Sequence, residues 1–387
     1  MTGREKVRGE GIDLLILQPT PFCNIDCDYC YLSSRSSTKR LAPATLRAAL
    51  TKVLASGLVQ GPLSVVWHAG EPLALPLAFY EEAFAVIASV VGGDQEVSHS
   101  IQTNATLVND RWCRFIRQHQ VKIGVSLDGP AFLHDAHRRD RRGKGTHARV
   151  MAGVKCLQAN DVPFHVIAVI TAQALGHPDE VMEFFLEHGI RNVGFNIEEL
   201  EGTHGESTLT APAHRQAVLA FLRRVYEYHC AANGAIRVRE FDRAYQAIAT
   251  ADVGSSTAAK TANDQVRPFG IVSIDCDGNL STFSPELLGA RSPKFGNFLF
   301  GNVNQVDLAD VLIHPVFREV ANEIATGVEL CSRSCEYFPF CGGGAPSNKY
   351  FENGTFASTE TMYCRYVIKA PLDIVLADLE RSLSLAH

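Results

Sequence analysis

Short apolar runs alternate with longer amphipathic stretches through residues 13–232. The run "DLLILQPT" at 13–20 is typical of a strand buried on both faces, and "APATLRAALTKVLAS" at 42–56 is typical of a helix. The segment "LSVVWHAGEP" at 63–72 predicts a strand that leads into a Gly-Glu-Pro loop. The same patterns predict strands over 97–104, 121–127, 163–170 and 191–197, and helices over 77–91, 109–119, 147–160, 178–188 and 212–232. Six strand–helix units indicate an α/β fold with a parallel sheet and helical crossovers.

Polar and cysteine-containing segments follow the predicted strands directly. Three cysteines come after the first strand, Gly70-Glu71 after the second, Asn104 after the third and Asp128 after the fourth. Ligands of parallel α/β sheets bind at the carboxyl edge of the strands. We therefore expect these loops to converge on one site.

The alternation ends near residue 235. The small and polar segment 252–265 predicts a linker or mobile loop, and "GIVSIDCDGNLSTFS" at 270–284 predicts a hairpin with an Asp-Gly-Asn turn. The remaining sequence has many turn residues and contains four more cysteines. A small region of this kind usually needs a staple, which a metal cluster can supply.

Composition narrows the class of protein. The 387 residues carry a net charge of −6, without a basic block for nucleic acid and without an apolar run of membrane-spanning length. The amino-terminal residues contain no apolar signal segment, so we expect a cytoplasmic protein. Eleven cysteines are many for a cytoplasmic chain, and they favour metal ligation over disulfides.

Cys23, Cys27 and Cys30 form the isolated pattern CxxxCxxC in "CNIDCDYC". Zinc motifs normally provide four ligands, so a zinc site would need a distant fourth ligand such as His68. A 4Fe–4S cluster held by three thiolates would instead leave one iron open, as catalytic metal sites do. We favour the open cluster over zinc and over three inert cysteines.

This motif resembles the CxxxCxΦC signature of the radical S-adenosylmethionine (SAM) enzymes, with Tyr29 as the aromatic residue. The resemblance implies a partial (β/α)6 TIM-like barrel and a cluster whose open iron binds SAM. Electron transfer then cleaves SAM and produces a 5′-deoxyadenosyl radical that abstracts hydrogen. Three further segments, "HAGEP", "VSLDGP" and "HDAHRRDRRGKG", resemble the SAM-binding motifs of the family. The SAM contacts that the resemblance implies are Tyr29, Gly70, Glu71, Ser126, Asp128 and Arg138.

Cys331, Cys335, Cys341 and Cys364 could form a structural zinc site, but their segment resembles the SPASM extension of peptide-modifying radical SAM enzymes. A complete SPASM region has two auxiliary clusters, and here Phe283 and Ala345 stand where ligand cysteines are expected. The resemblance therefore implies one auxiliary 4Fe–4S cluster on these four residues. Cys276 is expected to be structural, and Cys113, Cys156 and Cys230 are expected to be buried in helices.

The resemblance also implies three regions. These are a radical SAM partial barrel over 1–235, a linker or helical bridge over 236–269, and a SPASM-type auxiliary-cluster domain over 270–387.

Four segments resemble the cyclophane-forming maturases of the GrrM/OscB type: "IDLLILQPTPFCNIDCDYCYL", "FNIEELEGTH", "LSTFSPELLG" and "YFPFCGGGAPSNKYFENGTFASTETMYC". That family links an aromatic ring to a β-carbon of a ribosomally made precursor peptide. The reaction needs a base for the ring proton, and Glu198, Glu199 and Glu286 are the candidates. The expected partners are the precursor peptide and a reductant such as flavodoxin or ferredoxin.

Other functions remain open at this stage. A sulfatase-maturating enzyme would make formylglycine, and a thioether-forming maturase would join sulfur to carbon. A non-catalytic iron–sulfur protein that binds peptides is a third possibility. The short segment before the first strand has no room for a leader-binding module, so leader recognition is expected on the barrel, on the SPASM surface or on a partner.

Overall fold

The computed structural model describes residues 11–93, 95–250 and 263–385. The strands in these residues are β1 (Leu14–Leu17), β2 (Leu63–Trp67), β3 (Val97–Thr103), β4 (Lys122–Ser126), β5 (Phe164–Ile170), β6 (Asn192–Ile197), β7 (Arg237–Val238), β8 (Ile271–Ile274), β9 (Asn279–Thr282) and β10 (Gly301–Asn302). They form one sheet in the order β10-β9-β8-β1-β2-β3-β4-β5-β6-β7. Strands β1 to β7 are parallel, and β7 and β10 lie at opposite ends of the described sheet, so the barrel is open.

The helices of the same residues are α1 (Pro43–Ala55), α2 (Leu77–Val90), α3 (Asp110–Gln118), α4 (Ala131–His137), α5 (His147–Ala159), α6 (Pro178–Glu187), α7 (His214–Ala231), α8 (Arg239–Thr250), α9 (Leu308–Ile313), α10 (Pro315–Ser334), α11 (Phe338–Cys341), α12 (Pro346–Asn353) and α13 (Ala370–Leu385). Each of β1 to β6 is followed by a crossover helix, which confirms the six predicted units. None of the described helices has the length and the apolar character needed to cross a membrane.

The helices cover the outer face of the parallel sheet. Trp67 of β2 is fully buried, and its ring lies 5.3 Å from the ring of Tyr80 and 6.1 Å from that of Phe84, both on α2. The opposite face is more polar: Ser64 of β2 and Ser98 of β3 point the same way, with their hydroxyls 3.3 Å apart. This arrangement leaves the carboxyl ends of the strands free to carry the site loops.

The predicted hairpin is present as β8 and β9, which pair antiparallel. Strand β8 also pairs parallel with β1, so region 270–387 extends the sheet of the barrel rather than forming a separate one. Helix α13 of this region packs against α7 and α8. Most of the predicted linker lies outside the described residues, and the three-region division stays a prediction.

An aromatic cluster fills the start of the carboxyl-terminal region, around Phe317 of α10. Phe269 and Phe283 stack on Phe317, with centroid distances of 5.5 and 6.0 Å, and the Phe300 ring meets it edge-on at 5.5 Å. Phe283 is fully buried and has a left-handed backbone with φ +74°. One position where a cluster cysteine was expected therefore carries a core aromatic residue.

Phe283→Ala should lower the free energy of unfolding by about 3–5 kcal/mol, because it leaves a cavity against Phe317. Urea unfolding followed by circular dichroism measures the change. The control is Phe132→Ala, since Phe132 is 47% exposed and its loss should cost under about 0.5 kcal/mol. Equal losses in the two variants would show that Phe283 does not support the core.

Candidate functional site

Cys23, Cys27 and Cys30 lie on the loop that follows β1, and side chains from elsewhere hold this loop by its carbonyls. The guanidinium of Arg35 donates to the Cys27 carbonyl at 2.8 Å. The guanidinium of Arg141 donates two bonds to the Cys23 carbonyl, at 2.8 and 3.0 Å. The cysteine loop is thereby fixed over the carboxyl edge of the sheet.

The three thiols are close neighbours. Cys27 is buried and the other two are half-buried. The pKa of Cys23 and that of Cys27 are raised to about 12, mainly by burial and in smaller part by the neighbouring Cys30. Three soft thiol donors on one loop fit an iron–sulfur cluster. Among the described residues no three His, Cys, Asp or Glu side chains are arranged to hold a single metal ion.

The turn at Gly70-Glu71 binds the cysteine loop through its backbone. The Glu71 amide donates to the Phe22 carbonyl at 2.7 Å. Gly70 has φ +69°, and a Cβ at this position would lie 2.3 Å from the Thr20 carbonyl oxygen. Only glycine permits this close approach between the end of β2 and the start of the loop.

The Glu71 carboxylate, which is 1% exposed, joins the same turn to the end of β3. It accepts from the Leu73 amide at 2.9 Å, the Thr103 hydroxyl at 2.6 Å and the Asn104 amide at 2.8 Å. Burial raises the pKa of Glu71 to about 7. The Asn104 side chain in turn lies 3.8 Å from the Cys23 sulfur, so the turn, β3 and the first cysteine form one unit.

Tyr29, Asp128 and Arg138 form a buried triad beside the cysteines. Arg138 donates two bonds of 2.8 Å to the Asp128 carboxylate, and the Tyr29 hydroxyl donates to it at 2.5 Å. The Val169 amide supplies a fourth bond at 2.9 Å. Burial acts to raise the pKa of Asp128, but the charge and hydrogen bonds of Arg138, with smaller contributions from His134 and Tyr29, together keep this pKa below its usual value.

The triad changes the expected role of Asp128. Asp128 already accepts four hydrogen bonds, so its position is that of an anchor for Arg138 and Tyr29. Ser126, at the end of β4, accepts a side-chain hydrogen bond from Gln102 at 3.0 Å, and its contact with the ribose stays the prediction of the family resemblance. Contacts of these residues with SAM stay predictions.

The four cysteines of the carboxyl-terminal region line one cavity of about 360 Å³. Cys331 and Cys335 lie at the end of α10, Cys341 ends α11, and Cys364 begins a π-helical segment, Cys364–Lys369. Lys349 donates to the Cys331 sulfur at 3.3 Å. Four convergent thiols around a closed space fit an auxiliary 4Fe–4S cluster.

A second polar cluster joins the barrel to the carboxyl-terminal region, and we call it the acid network. It consists of Glu199 and Glu201 after β6, Ser284 and Glu286 after β9, and Ser347 and Asn348 at the start of α12. Asn348 donates to Glu199 at 3.0 Å, Ser347 donates to Glu201 at 3.4 Å, and Ser284 donates to Glu286 and to Ser347.

The three carboxyls of the acid network lie close together, and the groups that shift their pKa values include no cation. Burial raises the pKa of Glu199 to about 7. Burial and the charges of Glu286 and Glu199 raise the pKa of Glu201 well above its usual value, and burial raises that of Glu286. A hydrogen bond between the two carboxyls favours Glu201 as its donor and Glu199 as its acceptor.

Comparison with known proteins identifies the superfamily. Residues 17–188 match the Radical SAM superfamily. An uncharacterised protein of Synechocystis sp. is 44% identical over 380 residues, which cover 97% of this chain and 94% of that protein. The chain belongs to the radical SAM superfamily.

Further relatives and solved structures agree with this assignment. The serine-type anaerobic sulfatase-maturating enzyme of Klebsiella aerogenes is 32% identical over 191 residues, which span 49% of this chain and 47% of that enzyme. The structure of native anSMEcpe with bound AdoMet and Cp18Cys peptide aligns with a TM-score of 0.75 at 21% identity, over 97% of this chain and 99% of that one. Streptococcus suis SuiB bound to precursor peptide SuiA aligns with a TM-score of 0.64 at 14% identity, over 92% and 76%.

Identities of 21% and 14% to the solved structures show a shared fold alone, and the two alignments cover 97% and 92% of this radical SAM enzyme. Its cofactors are SAM and iron–sulfur clusters, and the two sets of cysteines described above fit the clusters. When bound, SAM and the cluster beside it supply a hydrogen-abstracting radical. The individual ligand assignments of this enzyme stay predictions.

The structure places the three candidate bases in two different environments. Glu199 and Glu286 belong to the acid network. Glu198 instead accepts from the amide of Thr208 at 2.7 Å and lies 3.4 Å from His204, so it stabilises its own loop. Its role as a base stays a prediction that this geometry does not favour.

Sequence reasoning missed Glu201, which the structure places in the network beside Glu199. The alternation of acids in "EELEG" directly after a strand was the available signal. His68, considered from the sequence only as a distant zinc ligand, has its Nε2 3.1 Å from the Tyr31 hydroxyl, and burial lowers its pKa to about 4. Cys230 was expected to be buried and is exposed, while Cys113 is buried and Cys156 is half-buried.

Anaerobic reconstitution should load about eight irons and a similar amount of sulfide per chain, as two 4Fe–4S clusters require. The chain with Cys23, Cys27 and Cys30 changed to Ala should keep about half of this iron, and so should the chain with the four carboxyl-terminal cysteines changed. Iron and sulfide counting checks both. About twelve irons would reveal a further cluster. Tightly bound zinc would refute the auxiliary assignment.

Proposed function

We propose that this enzyme modifies a ribosomally made precursor peptide and links an aromatic ring to a β-carbon of the same peptide. One observation carries the proposal. Three segments that resemble the cyclophane-forming maturases are far apart in sequence, and they supply all six residues of the acid network. "FNIEELEGTH" provides Glu199 and Glu201, "LSTFSPELLG" provides Ser284 and Glu286, and "CGGGAPSNK" provides Ser347 and Asn348.

The acid network suits the step that ring coupling adds to hydrogen abstraction. When a β-carbon radical bonds to a ring, the ring carbon must lose its proton and one electron to become aromatic again. A half-buried carboxylate with a pKa of about 7, such as Glu199, can accept that proton near neutral pH. Glu201 can donate a hydrogen bond to Glu199 and so hold its carboxylate in place.

A large opening lies beside this network and suits a peptide. The cavity measures about 930 Å³ and is bounded by the cysteine loop at Tyr31, the turn at Gly202 and Thr203, Asp275 in the β8–β9 turn, and Glu286. It touches both the first cysteine loop and one acid of the network. Similar proteins in solved structures hold peptides, the Cp18Cys peptide in anSMEcpe and SuiA in SuiB, which supports a peptide as the substrate.

The setting of the reaction follows from the same chemistry. All eleven cysteines are free, as expected for a reducing compartment, so we infer a cytoplasmic enzyme. The cluster that cleaves SAM needs one electron, for which flavodoxin or ferredoxin is the proposed donor.

Formylglycine formation is the second candidate. It is favoured by the 32% identity to a sulfatase-maturating enzyme, although that match spans only about half of each chain. Against it, Phe283 and Ala345 occupy two positions where that type of enzyme has cluster cysteines. Ser284 follows Phe283 where the resemblance leads us to expect the Asp base.

The modified precursor peptide should lose the mass of a pair of hydrogen atoms for each ring that closes. Tandem mass spectrometry should show no fragmentation inside the linked segment and normal fragmentation outside it. A deuterium label at the β-carbon should pass to 5′-deoxyadenosine. The probe is the short open reading frame next to the gene, with Gly-rich repeats and spaced aromatic residues.

Mass alone does not separate the two candidates, because oxidation of Ser to formylglycine removes the same atoms. An aldehyde-reactive product, or label transfer from a residue without an aromatic partner, would overturn ring coupling. Both results would leave the radical SAM assignment intact.

Glu199→Gln should lower the rate of ring closure by roughly 100-fold or more, as expected for loss of a positioned base. In the parent enzyme this rate should rise with pH through about 7, because Glu199 must be deprotonated to accept the ring proton. The profile should lose this rise in the variant. The matched control is Glu206→Gln, an exposed acid on the same loop. A variant with parent rates and the parent pH profile would remove Glu199 from the mechanism.

A further inference from the structure

Lys349 is a buried lysine that the proposed chemistry does not use. It lies on α12 and is 2% exposed. Its ammonium donates to the Cys331 sulfur at 3.3 Å and to the Gly327 carbonyl at 3.0 Å. Its aliphatic stem passes Gly344, where a Cβ would lie 3.8 Å from Lys349 Cε and 3.3 Å from the Cys364 sulfur. Lys349 therefore donates to one thiol of the auxiliary cavity, Cys331, and its charge acts on a second, Cys364.

The fold makes room for this ammonium. A Cβ on Gly327 of α10 would lie 3.2 Å from the Lys349 nitrogen and 2.2 Å from the Phe356 carbonyl oxygen. Glycine at this point lets α10 and the segment after α12 approach closely, with the lysine held between them. The position of the charge is thus fixed by packing and not by a flexible side chain.

The hydrogen-bond partners of the ammonium are a carbonyl and a thiol, and the ion pairs of the described residues give it no carboxylate. Lys369, which lines the cysteine cavity, differs in this respect. Lys369 lies 2.6 Å from the Glu360 carboxylate and is more exposed. A buried cation without a counter-charge is costly, because it loses its hydration and gains no ion pair.

A cluster held by four thiolates supplies the missing counter-charge, since the thiolates together outweigh the positive charge of the oxidised core. Reduction adds one electron and no proton, so the reduced cluster is more negative than the oxidised one. A fixed cation and a hydrogen bond to a ligand sulfur stabilise the reduced form more and raise the reduction potential.

We infer that Lys349 is the counter-ion of the auxiliary cluster and a positioning residue that raises its reduction potential. The inference concerns the cluster and its cysteines and does not depend on which bond the enzyme forms in a peptide. A higher reduction potential makes the auxiliary cluster a better electron acceptor.

The test is a redox titration followed by electron paramagnetic resonance, without substrate. The full chain with Cys23, Cys27 and Cys30 changed to Ala serves as the parent, so that the signal comes from the auxiliary cluster. Lys349→Met should shift the midpoint potential to a more negative value. Lys349→Gln should shift it less, because the amide can still donate to the Cys331 sulfur. The control Lys369→Met should leave it nearly unchanged, since Glu360 already balances that charge.

The inference would be overturned if the Lys349→Met protein held its auxiliary cluster and kept the midpoint potential of the parent. It would also be overturned if Lys369→Met shifted that potential as much as Lys349→Met does. If both Lys349 variants lose the cluster, the thermal unfolding of their metal-free chains is compared with that of the metal-free parent. With unchanged unfolding, the loss shows that the cluster needs this cation, as inferred. With strongly reduced stability, Lys349 would be a structural residue and the inference would fail.

Discussion

The Gly70-Glu71 turn holds the cysteine loop in place, and the rest of the site depends on that attachment. Its backbone binds Phe22 at the start of the loop, and its carboxylate binds Thr103 and Asn104 at the end of β3. The carboxylate is buried and has three donors, so its loss would leave those donors unpaired. One glutamate thus connects the ends of three neighbouring strands, and these contacts fix the position of the cysteines on the loop.

The auxiliary cysteine site and the acid network have opposite kinds of charge near them. Beside the cysteine-lined cavity, the buried ammonium of Lys349 donates to the Cys331 sulfur, and the ion pairs of the described residues give it no carboxylate. At the acid network, three half-buried carboxyls lie together, and the groups that shift their pKa values include no cation. Helix α12 contributes to both places, through Lys349 and through Ser347 and Asn348, so its position couples the auxiliary site to the barrel edge. The same short helix thus carries donors to the proposed proton acceptor, Glu199, and to a cysteine of the auxiliary site, Cys331.

Local patterns in the sequence were enough to predict the six β–α units, the β8–β9 hairpin and the convergence of the strand-end loops. These features depend on periodicity and on the rule that parallel strands end at one edge. The pairing of β8 with β1 was not predictable, because it joins residues more than 250 positions apart in the chain. Glu201 and Lys349 were missed for the same reason: their partners come from distant segments, and an isolated acid or lysine resembles a surface residue. The four bonds of Asp128 likewise require three dimensions, since its donors come from the cysteine loop, from β5 and from the segment after α4.

The central claim is that the cysteine loop at the sheet edge carries the cluster that cleaves SAM. The most direct test is the formation of 5′-deoxyadenosine from SAM by the reduced, fully loaded enzyme, compared with the Cys30→Ala variant under the same conditions. The parent should form 5′-deoxyadenosine, and the variant should form none while it retains the iron of the auxiliary site. Equal formation by the variant, or none by a parent that carries both clusters and its peptide, would contradict the assignment.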